Sequence, residues 1–154
     1  MAKSRNVTRL AGEVAADSSK ELAALTRLAL ILALVAKHAH WNVRGPFFGP
    51  LHQLFDGIAD AAYGWADRLA ERTVVLGAAA MVPSVTAKVC GFAGAREHLT
   101  EVADALEALD KGLADVLLVP DDEDPVTDNL LQELAGEVEK LLWQVRAHLE
   151  DPRS

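Results

Sequence analysis

A disulfide framework is excluded at once, because Cys90 is the only cysteine among the 154 residues. A reducing cytoplasm is the compartment that this cysteine usage suggests. Aromatic residues are scarce, at 5%, while alanine and leucine abound, which favours packed helices over a β-sandwich. Basic charge is short as well: 15 Lys and Arg face 23 Asp and Glu, giving a formal net charge of −8. An acidic body of this kind repels DNA phosphates and anionic lipid unless its basic residues cluster. No apolar run looks long enough for a bilayer; Leu28–Ala36 supplies about half of the ~20 residues a spanning helix needs. Lys3, Arg5 and Arg9 are followed by Glu13 and Asp17 rather than by the apolar stretch and cleavage site of a signal peptide, so neither a targeting nor a membrane segment is expected. What is present is one domain's length of chain, 51% hydrophobic, sufficient for a sizeable core.

The apolar spacing reads as four helices. Residues 1–17 lack periodicity and are expected to form a mobile arm. Ser18-Ser19-Lys20-Glu21 matches a capping box, in which a serine hydroxyl and a glutamate three residues on satisfy free amide hydrogens. The helix it starts runs to about Val43, apolar at Leu22, Leu25, Leu28, Leu32, Val35 and Ala36. Its centre, Leu28–Ala36, has no polar face, which points to burial on more than one side and hence to assembly. Arg44-Gly45-Pro46 breaks it, and a second helix follows from about Phe48 to Leu76, stopped by Gly77. Met81–Phe92 is a linker with room for a short helix at Pro83. A third helix is expected from Ala95 to Val119, closed by Pro120, apolar at Leu99, Val102, Leu106, Leu109, Leu113 and Val116. Asp124 and Pro125 suit the N-cap and first turn of a fourth helix, apolar at Leu131, Leu134, Val138, Leu141, Val145 and Leu149. The fold class is therefore all-α: a four-helix bundle over residues 18–150 with a long central crossover, and a short tail, 151–154.

Chemistry concentrates on the second helix. His52 and Asp56 are four residues apart, as are Asp67 and Glu71, so each pair points one way. At ~100° per residue the four positions fall at roughly 0°, 40°, 60° and 100°, all on one face. Imidazole with carboxylate suits iron, zinc or manganese. A single i,i+4 acid pair is ordinarily a solvated face, and Asp60 and Tyr63 on the same arc give it the look of a polar stripe. The midpoints of the pairs are about 15 residues, or ~22 Å, apart on a helix rising 1.5 Å per residue. One straight helix cannot offer both pairs to one ion, whose ligands lie within ~2–2.5 Å. Two antiparallel copies across a two-fold axis can, and they create two equivalent sites per dimer. His40, near the end of the first helix, can lean over the start of the second.

Lys37-His38-Ala39-His40-Trp41-Asn42-Val43-Arg44-Gly45, Leu51-His52, Asp56, Asp67, Ala70-Glu71-Arg72 and Leu76-Gly77 closely resemble the Dps family, the DNA-binding proteins from starved cells, which are twelve-subunit miniature ferritins. The resemblance extends through Asp121–Leu131 and Glu139-Lys140-Leu141-Leu142-Trp143, and so covers the chain from Ser18 onward. It implies a ferroxidase with two iron ions per centre, oxidising Fe²⁺ with hydrogen peroxide, or more slowly with O₂, and storing ferric mineral in a dodecameric shell. It assigns His40, His52 and Asp56 to one subunit's half of each centre, and Asp67 and Glu71 to the two-fold partner's half. The Glu-x-x-His motif of ordinary ferritins and the His-Glu-x-x-His motif of zinc proteases are both absent. Trp41 and Trp143 match family tryptophans that can donate an electron to a stray oxidant, or serve as packing aromatics; Trp65 points away from the ligand arc and is expected in the core or an interface.

Asp121, Asp122 and Asp124, with Glu123 between them and Asp128 one turn on, read alone as a solvated, capped turn. In a shell with three-fold axes they become a negative funnel for Fe²⁺. DNA binding in the family depends on lysine-rich tails, and the arm here offers Lys3, Arg5 and Arg9 against Glu13 and Asp17. Multivalent arms keep a second reading open, a nucleoid-associated DNA-protecting shell with minor ferroxidase activity. Cys90 and His38 receive no role from the sequence.

Overall fold

The computed structural model describes residues 12–82, 84–119 and 124–150, with side chains from Ser18 onward. Four helices account for most of these residues: α1 (Gly12–Asn42), α2 (Phe48–Val75), α3 (Ala95–Leu117) and α4 (Pro125–Leu149). α1 packs against both α2 and α3, and α3 packs against α4; α2 and α4 approach less closely. Side chains close that fourth side. Arg68 reaches Glu133 at 2.7 Å and Glu137 at 3.5 Å, and the Trp65 indole N–H donates to Glu137.

The core follows the apolar stripes. Leu22, Leu25, Leu32, Val35 and Ala36 of α1 meet Leu51, Phe55, Ile58 and Leu69 of α2, Leu99 to Leu113 of α3, and Leu131 to Val145 of α4. Fully buried leucines and phenylalanines of this kind each contribute about 1.5–3 kcal/mol by leaving water. α1 and α3 come so close that a Cβ on Gly112 would lie 2.9 Å from a Leu28 methyl. On α4 the buried stripe runs through Leu142, while Leu141 and Leu149 pack at its edge.

Three expectations need correction. α1 begins at Gly12, six residues before the capping-box motif, and Ser18 and Ser19 lie buried within it; the four-residue motif says nothing about whether the preceding turn is itself helical. Among the described residues the crossover 77–94 contains no helix. Ser18–Asn42 passes as bilayer-spanning by length and composition, with a mean hydropathy of 1.7, although Leu28–Ala36 alone is too short. Its place between α2 and α3 is that of a core helix. Residues 1–11, Pro83, Pro120, Asp121, Asp122, Glu123 and the tail 151–154 lie outside the described residues.

The turn between α1 and α2 sets the site's geometry. Gly45 has φ +107°, a conformation open to glycine and strained for other residues. The crossover's end is fastened to the same turn: Val43 pairs with Ala93 in an isolated parallel bridge, the Arg44 N–H donates to Ala93 O at 3.0 Å, and the Arg44 guanidinium lies 4.3 Å from the Phe92 ring centre. Gly77, at φ +93°, ends α2 with its N–H on Val74 O.

Candidate metal centre

The last turn of α1 and the first turns of α2 face each other across this hairpin. A helix leaves its final carbonyls without intrahelical partners, and His52 supplies one for His40, its Nδ1 lying 2.9 Å from His40 O. The contact is reciprocated, His40 Nδ1 lying 2.8 Å from His52 O. A ring nitrogen facing a carbonyl must donate, so each imidazole carries a proton on Nδ1, which in the neutral ring leaves Nε2 with its lone pair. The rings stack with centroids 3.7 Å apart and 21° between planes, and Phe48 stacks on His52 at 5.0 Å. Such a doubly anchored pair is the usual way of fixing imidazoles for metal ligation.

Asp56 lies one turn beyond His52, with Oδ1 3.7 Å from His40 Nδ1. Its carboxylate is held by Lys37, a cation rather than a ligand. Three residues before His40 on α1, Lys37 shares that histidine's side of the helix, and this spacing is the signal that could have revealed it. The Lys37 hydrogen bond, aided by the two histidines, holds the Asp56 carboxyl below its usual range, and the same bond raises Lys37. His40, His52 and Asp56 thus neighbour one another at one end of the bundle, two imidazoles and one carboxylate of the kind that suits a divalent first-row ion, but among the described residues of the single chain their ligating atoms do not all converge, as those of Cys90, His98 and Glu101 do.

Asp67 and Glu71 stand further along the same unbroken helix, exposed, and among the described residues neither forms a hydrogen bond or ion pair. One chain therefore presents a three-residue cluster and a separate acid pair. Between and beside them lies an apolar face left partly uncovered, formed by Leu30, Ala33, Leu34 and Tyr63 over the buried Ala59.

A ferritin-like domain family matches residues 19–154. The DNA protection during starvation protein of Mycolicibacterium smegmatis is 36% identical over 127 residues, 77% of this chain and 69% of that protein. The fine tangled pili major subunit of Haemophilus ducreyi is 34% identical over 129 residues, 78% of this chain and 68% of that one. The structure of Mycobacterium smegmatis Dps in its tetragonal form superposes with a TM-score of 0.89 at 29% identity, covering 100% of this chain and 98% of that one. The chain belongs to the Dps family. Its four helices and the ferritin-like architecture agree with the expected fold class.

The remaining site residues of this Dps-family chain divide. Trp41 is exposed beside His38, with ring centroids 5.4 Å apart, and Trp143 is exposed on α4. Neither packs in the core of its own chain, whereas Trp65 is buried. Asp124 is the expected N-cap, accepting from Thr127 N at 3.1 Å. As a pore acid it is corrected: it is only 2% exposed and bonded to Arg72 Nη2 at 2.7 Å, so its charge is spent inside the bundle. Arg72 also donates to Thr127 Oγ1 at 2.9 Å, making a clamp between α2 and α4 that sequence reading misses. Asp128 remains half-exposed.

Proposed function

We propose that this Dps-family chain builds a hollow shell of twelve copies that oxidises Fe²⁺ with hydrogen peroxide and retains the ferric product as mineral. Iron is the substrate and cargo. The observation that carries this reading is the half-site: His40 and His52 locked by reciprocal Nδ1 hydrogen bonds, with Asp56 beside them. Asp67 and Glu71, exposed on the same helix and without a hydrogen bond or ion pair among the described residues, are the complementary half. A second copy laid antiparallel over the partly uncovered apolar face of α1 and α2 removes that face from water and sets each chain's acid pair against the other's histidines.

In this arrangement the two Nε2 atoms and Asp56 hold Fe²⁺ from one side, and Asp67 and Glu71 from the other, two ions per centre. Fe²⁺ displaces the Lys37 ammonium from a carboxylate already ionised. Each of two Fe²⁺ gives up one electron; the pair of electrons, with two protons, reduces H₂O₂ to two waters, so no hydroxyl radical is released. O₂ serves as a slower oxidant. Asp121, Asp122 and Asp128 guide Fe²⁺ inward, and exposed Trp41 and Trp143 are placed to quench stray oxidants. The cytoplasm is the proposed site of action.

The test is peroxide-driven Fe²⁺ oxidation at low iron loading, with shell mass followed by light scattering. Replacing His52 and Asp56 by alanine should leave the shell intact and lower the initial rate by roughly tenfold or more, since even outer-shell changes at metal sites cost that much. An unchanged rate removes the proposed centre. The name of the mycobacterial relative favours a second reading, in which the shell binds DNA; the net charge of −8 opposes it. A gel-shift titration across salt separates the two, because phosphate binding weakens steeply as salt rises.

A further inference from the structure

Far from the His40–His52 pair in sequence, the crossover and α3 bring together three donors that the proposed iron chemistry does not use. Cys90 Sγ lies 3.4 Å from His98 Nδ1 and 3.2 Å from Glu101 Oε2, and those two atoms are 3.6 Å apart. A tetrahedral ion with metal–sulfur bonds of ~2.3 Å and metal–nitrogen or metal–oxygen bonds of ~2.0–2.1 Å holds its donors about 3.3–3.6 Å apart. The sides of the triangle match one face of such a tetrahedron within a few tenths of an ångström; Cys90 Sγ also lies 4.0 Å from His98 Nε2, beside the ring, so the imidazole must turn to aim Nδ1 at an ion. His98 is fully buried, its ring edge-on to Phe55, while Cys90 and Glu101 are half-exposed, leaving the fourth corner on the solvent side. The Cys90 backbone N–H donates to Glu101 Oε1 at 2.7 Å and so aims the other carboxylate oxygen at the sulfur. That support is the kind which orients ligands at metal sites.

We propose that Cys90, His98 and Glu101 form a three-ligand site for a Zn²⁺-type cation, with an open fourth position, that clips the crossover to α3. Thiolate with imidazole and carboxylate is a borderline-soft set, suited to Zn²⁺ and Co²⁺ rather than Mg²⁺ or Ca²⁺. Without metal the three groups satisfy one another, the thiol donating to Glu101. Burial, then Glu101, and more weakly Glu97, push the thiol up to about 11. The same carboxylates that disfavour a bare thiolate favour a dication beside it. Binding replaces the S–H proton by the metal and releases one proton to solvent.

The test is anaerobic Co²⁺ titration of the assembled full chain, its thiol first shown to be reduced. Cys90 is the only cysteine, so a thiolate-to-cobalt charge-transfer band reports this site alone. The band should appear with intense tetrahedral visible bands, saturate at one ion per chain and disappear when Zn²⁺ is added. It should survive in H52A/D56A, which separates it from the proposed iron centre. E101Q should weaken the apparent affinity by roughly tenfold or more. No charge-transfer band in the wild-type chain with excess Co²⁺, or an E101Q affinity equal to wild type, overturns the proposal.

Discussion

His40 and His52 each spend Nδ1 on the other's carbonyl, so neither ring can rotate without breaking a bond that anchors it to the facing helix. The pair was legible in the sequence as candidate ligands, but the mutual lock was not, because it needs the turn at Gly45 to bring two helix ends together. Lys37 is the second residue-scale finding. Its bond to Asp56 is partly exposed, and exposed ion pairs contribute little to stability. Lys37→Gln should therefore tighten anaerobic Fe²⁺ binding by up to about fivefold, by removing a competing cation; weaker binding in calorimetric titration would show that Lys37 helps to assemble the site. Cys90 offers a pH test in metal-free protein. Because its thiol is raised to about 11, the reactive thiolate is a small fraction at pH 8, and alkylation should accelerate until pH nears 11. A plateau near pH 9, the behaviour of an ordinary thiol, would contradict that environment.

At the scale of elements, periodicity located all four helices, and the apolar residues of α3 were placed with little error because Leu99, Val102, Leu106, Leu109 and Leu113 all face inward. α1 was less legible at its start. Ser-Ser-Lys-Glu fits a cap, yet it also fits a helix interior, and Gly12–Asp17 continues the helix upstream. Asp124 carried two compatible signals, N-cap and acidic run, and burial decided between them. The acid caps α4 and pairs with Arg72 on α2, a contact spanning 52 residues that no local pattern reveals. Truncating one partner of a buried ion pair costs about 3–5 kcal/mol because the other charge is stranded. Asp124→Ala should lower the denaturant midpoint accordingly. Asp128→Asn, at a half-exposed position, should cost under about 1 kcal/mol; equal losses would mean that Asp124 is not the clamp.

For the whole molecule, the decisive features are the acidic surface and the apolar face left partly bare on α1 and α2. Leu28–Ala36 read as buried on more than one side, and in a single chain Leu34 remains exposed while Leu30 and Ala33 are only half covered. The same face separates His52 and Asp56 from Asp67 and Glu71, so assembly and chemistry are proposed to depend on one two-fold contact. The most direct measurement is complementation. One variant carries alanine at His52 and Asp56, a second at Asp67 and Glu71, and each alone should form inactive dimers. Co-expressed with random pairing, half the dimers are mixed, and each mixed dimer has one whole site and one empty of both halves. Peroxide-driven Fe²⁺ oxidation should then recover to roughly one site in four of wild type. Mixed shells confirmed by mass spectrometry but without recovered activity would contradict a centre shared between chains.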